Sequence, residues 1–227
     1  MPTLVMANKN YSSWSVRPWF FLRAAGILFE EKVVGLGTPG FAETIAKVSP
    51  SGRLPAFVLD DGEVVWDSLA IGEHLAEAYP DKGVWPADAK SRRRARSAAA
   101  EMHAGFGELR NVLTCNARRT YSPATWRKVA GTPERIAAVE ADVARMHALW
   151  TELLDASGGP FLCGSVGFVD AYFVPVVSRF ATYGIESTGA ASSYRRAVEA
   201  LPTYRQWLDE ARAESLTVAK YEYDDVT

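Results

Sequence analysis

The sequence is poor in the residues that build disulfide frameworks and metal sites. Its 227 residues include two cysteines, Cys115 and Cys163, and three histidines. Two isolated cysteines provide neither a disulfide framework nor a four-ligand zinc site. His74, His103 and His147 are scattered and do not match the spacing of metal ligands. We therefore expect no metal centre.

Long apolar runs and an excess of one charge are also missing. Apolar stretches such as residues 172–177 fall far short of the roughly 18–20 residues that a membrane span requires. The first residues lack the charged and apolar regions of a targeting signal. Lys and Arg number 25 against 27 Asp and Glu, a net charge of −2, whereas nucleic-acid binding favours a strongly basic domain. We expect a cytoplasmic protein that binds neither a membrane nor nucleic acid.

The composition is that of a folded globular protein, with 48% hydrophobic and 23% charged residues. Its length allows one large domain or two modest ones. The first 80 residues alternate two kinds of pattern: strands are predicted at 4–7, 29–36, 55–59 and 63–66, and helices at 14–25, 41–48 and 69–79. Asp60-Asp61-Gly62 predicts a hairpin between the last two strands. The predicted order is β-α-β-α-β-β-α.

After residue 80 the pattern becomes helical throughout. Turn-forming residues at 81–86 predict a linker. Helices are predicted from about 87 to the 109–113 region, from Thr132 and Pro133 onward, and at 168–183, 194–201 and 204–213, followed by a polar tail. We predict an α/β domain at residues 1–80 and an all-helical domain at residues 87–227.

The first candidate motif, Ser-Ser-Trp-Ser-Val-Arg at residues 12–17, lies between the first strand and the first helix. A serine here caps the helix, and the N-terminus of a helix favours a nearby anion. Arg17 lies four residues after Ser13, so it shares that helix face and would add positive charge. Two plainer interpretations stay open: the serines only cap the helix, and Arg17 only forms an ion pair at the surface.

Two further motifs leave hydrogen-bonding groups free for a ligand. Leu54-Pro55 follows a glycine turn at the start of a strand, a position compatible with a cis peptide bond. The Leu54 backbone would then be available to a peptide-like ligand. Asp67-Ser68 opens the third helix, where Ser68 would meet a carboxylate and Asp67 an ammonium group. Alone, each motif also fits an ordinary turn or cap.

The joint order of these motifs resembles the cytosolic glutathione transferase family. Strand–serine–helix, Leu-Pro–strand and Asp-Ser–helix is the pattern of that family's thioredoxin-like domain. Residues 161–171 are similar to the motif in which a capping box opens the core helix of the second domain. The resemblance spans essentially the whole chain. It implies an α/β thioredoxin-like N-terminal domain plus an all-α C-terminal domain, with glutathione as cosubstrate and a homodimer as the assembly.

Within the family, Ser-Ser-x-Ser-x-Arg is most similar to the zeta class, which is maleylacetoacetate isomerase-like. By this resemblance, the hydroxyl of Ser12 stabilises the glutathione thiolate, and Ser13 is the second candidate for the same role. Arg17 completes the candidate catalytic set. A hydroxyl donor at a helix N-terminus lowers a thiol pKa from about 8.5 toward neutrality.

The resemblance also assigns the residues that bind glutathione. The backbone of Leu54, just before Pro55, would pair with the cysteinyl part of the tripeptide. Asp67 and Ser68 would hold its γ-glutamyl end. The tripeptide, rather than the protein, then supplies the nucleophile.

The chain departs from the family pattern at two positions. Trp14 stands where the zeta motif has a cysteine, which excludes the mixed-disulfide chemistry of the cysteine-using classes. Gly167 stands where the family has Ser or Thr, three residues before Asp170. Glycine can occupy an N-cap but has no hydroxyl, so only half of the capping box is expected: Asp170 bonding back to the Gly167 N–H.

The function implied by the resemblance is a detoxifying glutathione transferase acting on a small electrophile. Two alternatives stay open: a zeta-like glutathione-dependent cis–trans isomerase, and a non-catalytic module of the same fold that binds or assembles. His103, Phe106 and Arg110 fall at helical spacing, on a helix that borders the electrophile pocket in this family. Core packing for Phe106 and exposure for Arg110 are the plainer interpretation.

Overall fold

The computed structural model describes residues 1–224. Its first part alternates strands β1 (Thr3–Ala7), β2 (Glu30–Val34), β3 (Ala56–Val58) and β4 (Val64–Trp66) with helices α1 (Ser13–Ala24), α2 (Phe41–Ala46) and α3 (Ser68–Ala78). This is the predicted β-α-β-α-β-β-α order. The observed elements begin and end within a few residues of the predicted bounds, as expected for helix and strand ends.

The four strands form one mixed sheet in the order β2-β1-β3-β4. β1 runs parallel to β2 and antiparallel to β3, and β3 and β4 form the predicted hairpin. Leu4, Met6 and Phe57 join the main core with α1 and α3, whereas Val5 and Ala56 belong to a smaller cluster that partly buried Phe41 of α2 packs against. Helices thus cover both faces of the sheet, which confirms the thioredoxin-like arrangement.

The remainder of the described chain is helical. The helices are α4 (Ala89–Ala104), α5 (Gly107–Val112), α6 (Pro123–Ala130), α7 (Pro133–Ser157), α8 (Phe168–Thr182), α9 (Gly189–Ala200) and α10 (Pro202–Ala213). Up to residue 224, extended pairing after β4 is limited to isolated bridges within residues 161–165. The α/β-plus-all-α fold class is confirmed. The domain bounds 1–80, 81–86 and 87–227 stay a prediction, and residues 225–227 lie outside the described part.

The single helix predicted from residue 87 to the 109–113 region is wrong, because the chain breaks between α4 and α5. Phe106 has a left-handed backbone with φ of 55°, which interrupts a right-handed helix. Two hydrogen bonds stabilise the break. Asp142 of α7 accepts from the Leu109 N–H at 2.9 Å, and the Arg110 side chain donates to the backbone carbonyl of His103 at 3.1 Å.

The two parts of the chain share a continuous core centred on α8. Nearly every residue of α8 is buried, as its apolar sequence predicts. Gly72 of α3 allows close approach, since a Cβ there would lie 2.3 Å from the ring of Phe168. Asp170 accepts from the Gly167 N–H at 2.9 Å, which confirms the expected half of the capping box. No helix within residues 1–224 has both the length and the apolar character needed to cross a membrane.

The polar segment after α10 is held against the rest of the molecule. Glu214 accepts from the backbone N–H groups of Lys9 and Asn10 at 2.7 and 3.0 Å. Arg118 donates to the backbone carbonyls of Glu214 and Leu216 at 2.6 and 2.9 Å. This segment therefore fixes the loop between β1 and α1.

Candidate active site

Ser12 is the N-cap of α1, and its hydroxyl is already engaged. Its Oγ accepts from the Ser15 N–H at 3.3 Å and donates to the Ser15 Oγ at 2.9 Å. Ser15 Oγ in turn accepts from the Ala7 N–H at 3.0 Å. Ser12 therefore connects the end of β1 to the start of α1, and it must exchange a partner before it can donate to a ligand.

Ser13 is more deeply buried and is tied to the helical part of the chain. Its Oγ accepts from Arg179 Nη2 at 3.1 Å, while Arg179 Nε donates to the Leu113 carbonyl at 2.7 Å. The guanidinium of Arg179 therefore lies close to the N-terminus of α1, in addition to that of Arg17. The Ser13 hydroxyl keeps its own proton available for donation.

Arg17 does not form the surface ion pair that was one interpretation of the sequence. It is buried, and its guanidinium lies between two aromatic rings, 4.0 Å from the centroid of Trp14 and 4.3 Å from that of Tyr172. Within the described residues its Nε and Nη1 have no hydrogen-bond partner. Burial lowers the pKa of Arg17 to about 9, so it remains a cation at neutral pH. Stacking on two rings partly replaces its lost hydration.

The peptide bond between Leu54 and Pro55 is cis, as the sequence suggested. The ladder between β1 and β3 begins at Ala56, so Leu54 lies just before it. Within residues 1–224, no hydrogen bond involves the Leu54 backbone. Its N–H and C=O are therefore available to a ligand that extends the sheet.

Asp67 and Ser68 occupy the start of α3 as predicted. Asp67 is the N-cap, has a positive φ of 73°, and accepts from the Leu69 N–H through Oδ1 at 2.7 Å. A positive φ is uncommon for residues other than glycine and often marks a functional site. Ser68 is buried, and its Oγ lies 3.2 Å from the hydroxyl of Tyr172.

These elements enclose a cavity of about 600 Å³. Four of the predicted residues line it together: Leu54, Pro55, Asp67 and Ser68. Its remaining lining comes from Trp14, Ser51, Arg53, Trp66 and His103. The volume suits a small-molecule ligand.

The three predicted catalytic residues are not among those that line the cavity. Trp14 lines it instead, and Arg17 stacks on that ring. Ser13 adjoins Trp14 in sequence and Ser12 lies two residues before it, so the N-terminus of α1 reaches the cavity through the Trp14 side chain. The sequence did not identify Trp14 as a wall residue, because a helix-capping motif does not reveal which of its side chains points outward.

Of His103, Phe106 and Arg110, which fall at helical spacing in the sequence, only His103 lines the cavity. His103 lines the cavity, and Arg110 lies 5.2 Å from the Trp14 ring. Phe106 is buried in the core, in agreement with the plainer interpretation that it serves core packing. The break at Phe106 separates His103 from Arg110, so helical spacing alone did not predict their placement.

Ser51, Arg53 and Trp66 were missed as wall residues. Each is close in sequence to a motif that was found: Ser51 and Arg53 precede Leu54, and Trp66 precedes Asp67. Their position beside a predicted binding motif was the one signal in the sequence that could have identified them as cavity-lining residues. No cluster of three or more metal-ligating side chains occurs within residues 1–224.

Comparisons with known proteins agree with this arrangement. Residues 11–78 match the family described as "Glutathione S-transferase, N-terminal domain". A probable maleylacetoacetate isomerase of Caenorhabditis elegans is 32% identical over 111 residues, which are 49% of this chain and 50% of the nematode protein. The chain thus spans half the length of that relative. A zeta-class glutathione S-transferase of Euphorbia esula is 27% identical over 179 residues, 78% of this chain and 75% of the plant protein.

Solved structures extend the likeness to the whole fold. A glutathione transferase homolog from Burkholderia, solved with bound glutathione, superposes with a TM-score of 0.69 at 22% identity, and the match covers 94% of this chain and 99% of that one. At this identity the likeness concerns the fold alone. Residues 11–78 thus match the N-terminal domain of the glutathione S-transferases, and the matched domain, the zeta-class relatives and the shared fold together support one conclusion: the chain is similar to the cytosolic glutathione transferases and, among them, to the zeta class.

Proposed function

We propose that the protein is a glutathione transferase that binds glutathione in the cavity between α1, α3 and α4. The observation that carries the proposal is the convergence of Leu54, Pro55, Asp67 and Ser68 on one cavity. These residues come from two separate motifs, and together they offer three different groups: the unpaired backbone of Leu54, the carboxylate of Asp67, and the hydroxyl of Ser68 at a helix N-terminus.

The tripeptide has a complementary set of groups. The Leu54 backbone pairs with the cysteinyl unit as an added strand. Asp67 accepts from the γ-glutamyl ammonium, and Ser68 together with the α3 N-terminus holds the γ-glutamyl carboxylate. Arg53, on the same wall, is the cation available to the glycyl carboxylate.

Thiol activation in this proposal depends on the positive end of α1 and on Ser12. Ser12 turns its hydroxyl from Ser15 toward the sulfur and stabilises the thiolate, while the buried Arg17 adds positive potential behind Trp14. The released proton passes to solvent. Each unit by which the thiol pKa falls corresponds to about 1.4 kcal/mol of preference for the thiolate.

The thiolate then attacks an electrophilic carbon of a small molecule. The sulfur's electron pair forms the new C–S bond, and the leaving group departs with the electron pair of the bond that breaks. The protein contributes binding, orientation and thiolate stabilisation, and glutathione is the consumed cosubstrate.

A glutathione-dependent cis–trans isomerase is the second candidate, favoured by the similarity to a probable maleylacetoacetate isomerase. In that reaction the thiolate adds to a conjugated double bond, the resulting single bond rotates, and elimination regenerates both glutathione and the double bond. Product analysis separates the two: a transferase accumulates a thioether, whereas an isomerase returns free glutathione.

The test of the enzyme proposal compares Ser12→Ala with its neighbour Ser13→Ala as the matched control. We expect Ser12→Ala to lower the rate of thiol transfer to chlorodinitrobenzene by about tenfold to a hundredfold at neutral pH, because a hydrogen bond to a charged group is lost. Ser13→Ala should change the rate much less. Steady-state kinetics and calorimetric titration with glutathione provide the measurements.

Two results would contradict the proposal. If the protein does not bind glutathione, the family fold serves another role here. If it binds glutathione and Ser12→Ala transfers the thiol as fast as wild type, a non-catalytic or serine-independent function is the better account.

The proposed assembly and location rest only on the similarity to glutathione transferases. We propose a homodimer in the cytoplasm with a role in detoxification. Analytical ultracentrifugation measures the mass in solution, and a monomer at micromolar concentration would contradict the dimer.

A further inference from the structure

One wall of the cavity carries a histidine from the helical part of the chain. His103 lies in the last turn of α4, and within the described residues it is the one cavity-lining side chain from α4–α10. Its ring meets Trp14 edge to face, with centroids 5.0 Å apart. It therefore brings a titratable group to a cavity that the N-terminal motifs otherwise build.

The two ring nitrogens of His103 face two groups of the candidate site. Nε2 lies 3.5 Å from Oδ2 of Asp67, and Nδ1 lies 3.5 Å from the hydroxyl of Tyr172. Tyr172 in turn contacts the Ser68 Oγ at 3.2 Å. His103 is thus linked to both residues that are proposed to hold the γ-glutamyl group.

The oxygens of Asp67 have different roles. Oδ1 caps α3 by accepting from the Leu69 N–H at 2.7 Å. Oδ2 faces the imidazole, at a distance too long for a strong hydrogen bond. Oδ2 is therefore the oxygen left for an ammonium group, and it is also the one that a protonated His103 would take.

Charged groups reach His103 from several elements. Burial lowers its pKa; Asp67 of α3 opposes this shift, and Arg17 of α1 and Arg110 of α5 add to it. Tyr172 of α8 is neutral at physiological pH, since burial raises its pKa to about 12. His103 is accordingly neutral at neutral pH and becomes charged only in acid.

We propose that His103 is a positioning residue that competes, when protonated, with the ligand's ammonium group for Oδ2 of Asp67. Neutral His103 leaves Oδ2 to the ligand. Protonated His103 closes the 3.5 Å gap and pairs with Asp67 instead. This inference rests on the glutathione function proposed above and defines the ligand class more narrowly: γ-glutamyl compounds that carry a free amino group.

Proton binding and ligand binding are then antagonistic, and the coupling is reciprocal. Affinity for a γ-glutamyl ligand falls as the pH falls through the His103 pKa. Bound ligand in turn makes His103 harder to protonate. A ligand without the amino group does not compete for Oδ2 and escapes this coupling.

The test uses S-methylglutathione, whose thioether cannot ionise, so that the thiol contributes no pH dependence. Calorimetric titrations at about pH 7.5 and about pH 5 bracket the range in which histidines change charge. The proteins are wild type, His103→Gln, and His147→Gln as the matched control. His147 bonds Ser187 far from the cavity, and burial lowers its pKa as well.

We expect the Kd of wild type to rise about threefold to fivefold between the two pH values, the range of a partly exposed ion pair. His147→Gln should reproduce that rise, whereas His103→Gln should flatten it. The desamino analogue of S-methylglutathione should give the same affinity in wild type and His103→Gln at both pH values. Circular dichroism of each variant confirms that it is folded.

The outcomes separate this inference from the proposed function. If wild type fails to bind S-methylglutathione at about pH 7.5, both fall. If wild type binds and His103→Gln keeps the full pH dependence, only the role of His103 falls. The same holds if the desamino analogue shows the wild-type pH dependence, because Asp67 would then not be the point of competition.

Discussion

At the scale of single residues, Arg17 has the least ordinary environment. It is a fully buried cation whose pKa burial lowers to about 9, and it rests on the rings of Trp14 and Tyr172. A buried charge with unpaired donors is costly unless rings or a ligand compensate. The arrangement is consistent with a cation kept for its effect on a bound thiolate.

Replacing Arg17 therefore separates stability from activity. We expect Arg17→Met to unfold within about 1 kcal/mol of wild type, because loss of the two cation–π contacts offsets relief of the buried charge. The same change should raise the pKa of bound glutathione by about one unit, and lower thiol transfer below that pKa about tenfold. Urea denaturation and the ultraviolet titration of the bound thiolate measure the two effects.

Arg17→Lys is the control, since it keeps the charge and loses the planar stacking. It should keep most of the shift in the thiol pKa. If Arg17→Met and Arg17→Lys titrate alike, the charge at this position does not act on the sulfur.

At the scale of elements, the start of α8 depends on Asp170. Burial raises its pKa to about 6, although it accepts from the Gly167 and Leu162 N–H groups at 2.9 and 3.2 Å. A raised folded-state pKa means that the native state binds the proton more tightly than the unfolded chain. The stabilisation is complete below the unfolded-state pKa of 3.8 and is lost as the pH rises through about 6.

The pH dependence of unfolding tests this account. Relative to Asp170→Asn, which does not titrate, wild type should lose roughly 2 kcal/mol of unfolding free energy from about pH 4 to about pH 7. Urea denaturation at each pH provides the comparison, with exposed Asp155→Asn of α7 as a control that keeps the wild-type slope. Equal slopes for wild type and Asp170→Asn would refute it.

Gly167 offers a second test at the same helix start. Its φ of −133° suits any residue, and an added Cβ would meet its nearest neighbour, the Val84 carbonyl oxygen, at 3.4 Å. Gly167→Ser should therefore raise stability by about 0.5 kcal/mol, since its hydroxyl can accept from the Asp170 N–H. Gly167→Ala, without a hydroxyl, should lower stability by a similar amount. Thermal unfolding of the two variants distinguishes a cap from a packing effect, which would shift both in the same direction.

Helix starts were the elements best predicted from sequence, because capping is local. The pair Thr132-Pro133 correctly predicted the start of α7. The Oγ1 of Thr132 accepts from the Arg135 N–H at 3.3 Å. Ser122-Pro123 carries the same signal for α6, a helix that is not among those predicted from the sequence. The break between α4 and α5 was beyond local reasoning, because it depends on Asp142, which is distant in sequence from Leu109.

The residues of the candidate site differ in the same way: those determined by local sequence were predicted, and those determined by distant contacts were not. Leu54, Pro55, Asp67 and Ser68 were predicted because they sit at element ends, where backbone groups are free, and these four line the cavity. The direction of a side chain within the first turn of α1 depends on what packs against it. The sequence therefore could not predict that Trp14, rather than Ser12, would line the cavity.

At the scale of the whole molecule, the segment after α10 joins the end of the chain to the loop that precedes α1. Tyr11, next to Ser12, has its hydroxyl 2.5 Å from both Glu222 and Arg118, and its ring stacks on Tyr221 at 5.4 Å. The rigidity of the β1–α1 loop is therefore supplied partly by residues from the opposite end of the sequence.

Removing one carboxylate should loosen that loop. We expect Glu214→Ala to lower the unfolding free energy by about 2 kcal/mol and to speed amide exchange at Lys9 and Asn10, whose N–H groups lose their acceptor. Hydrogen-exchange mass spectrometry resolves the loop. Asp209→Ala, an exposed acidic residue of α10, is the control, and equal exchange in the two variants would count against the role of Glu214.

The presence of Trp14 at the cavity wall also bears on oxidative damage. Within the described residues, none of the side chains that line the cavity contains sulfur. Burial raises the pKa of Cys115, and that of Cys163 to about 11, so neither forms the thiolate that peroxide attacks. The lining of the cavity therefore offers an oxidant no thiol or thioether of the protein's own to convert into a sulfenic acid or a sulfoxide.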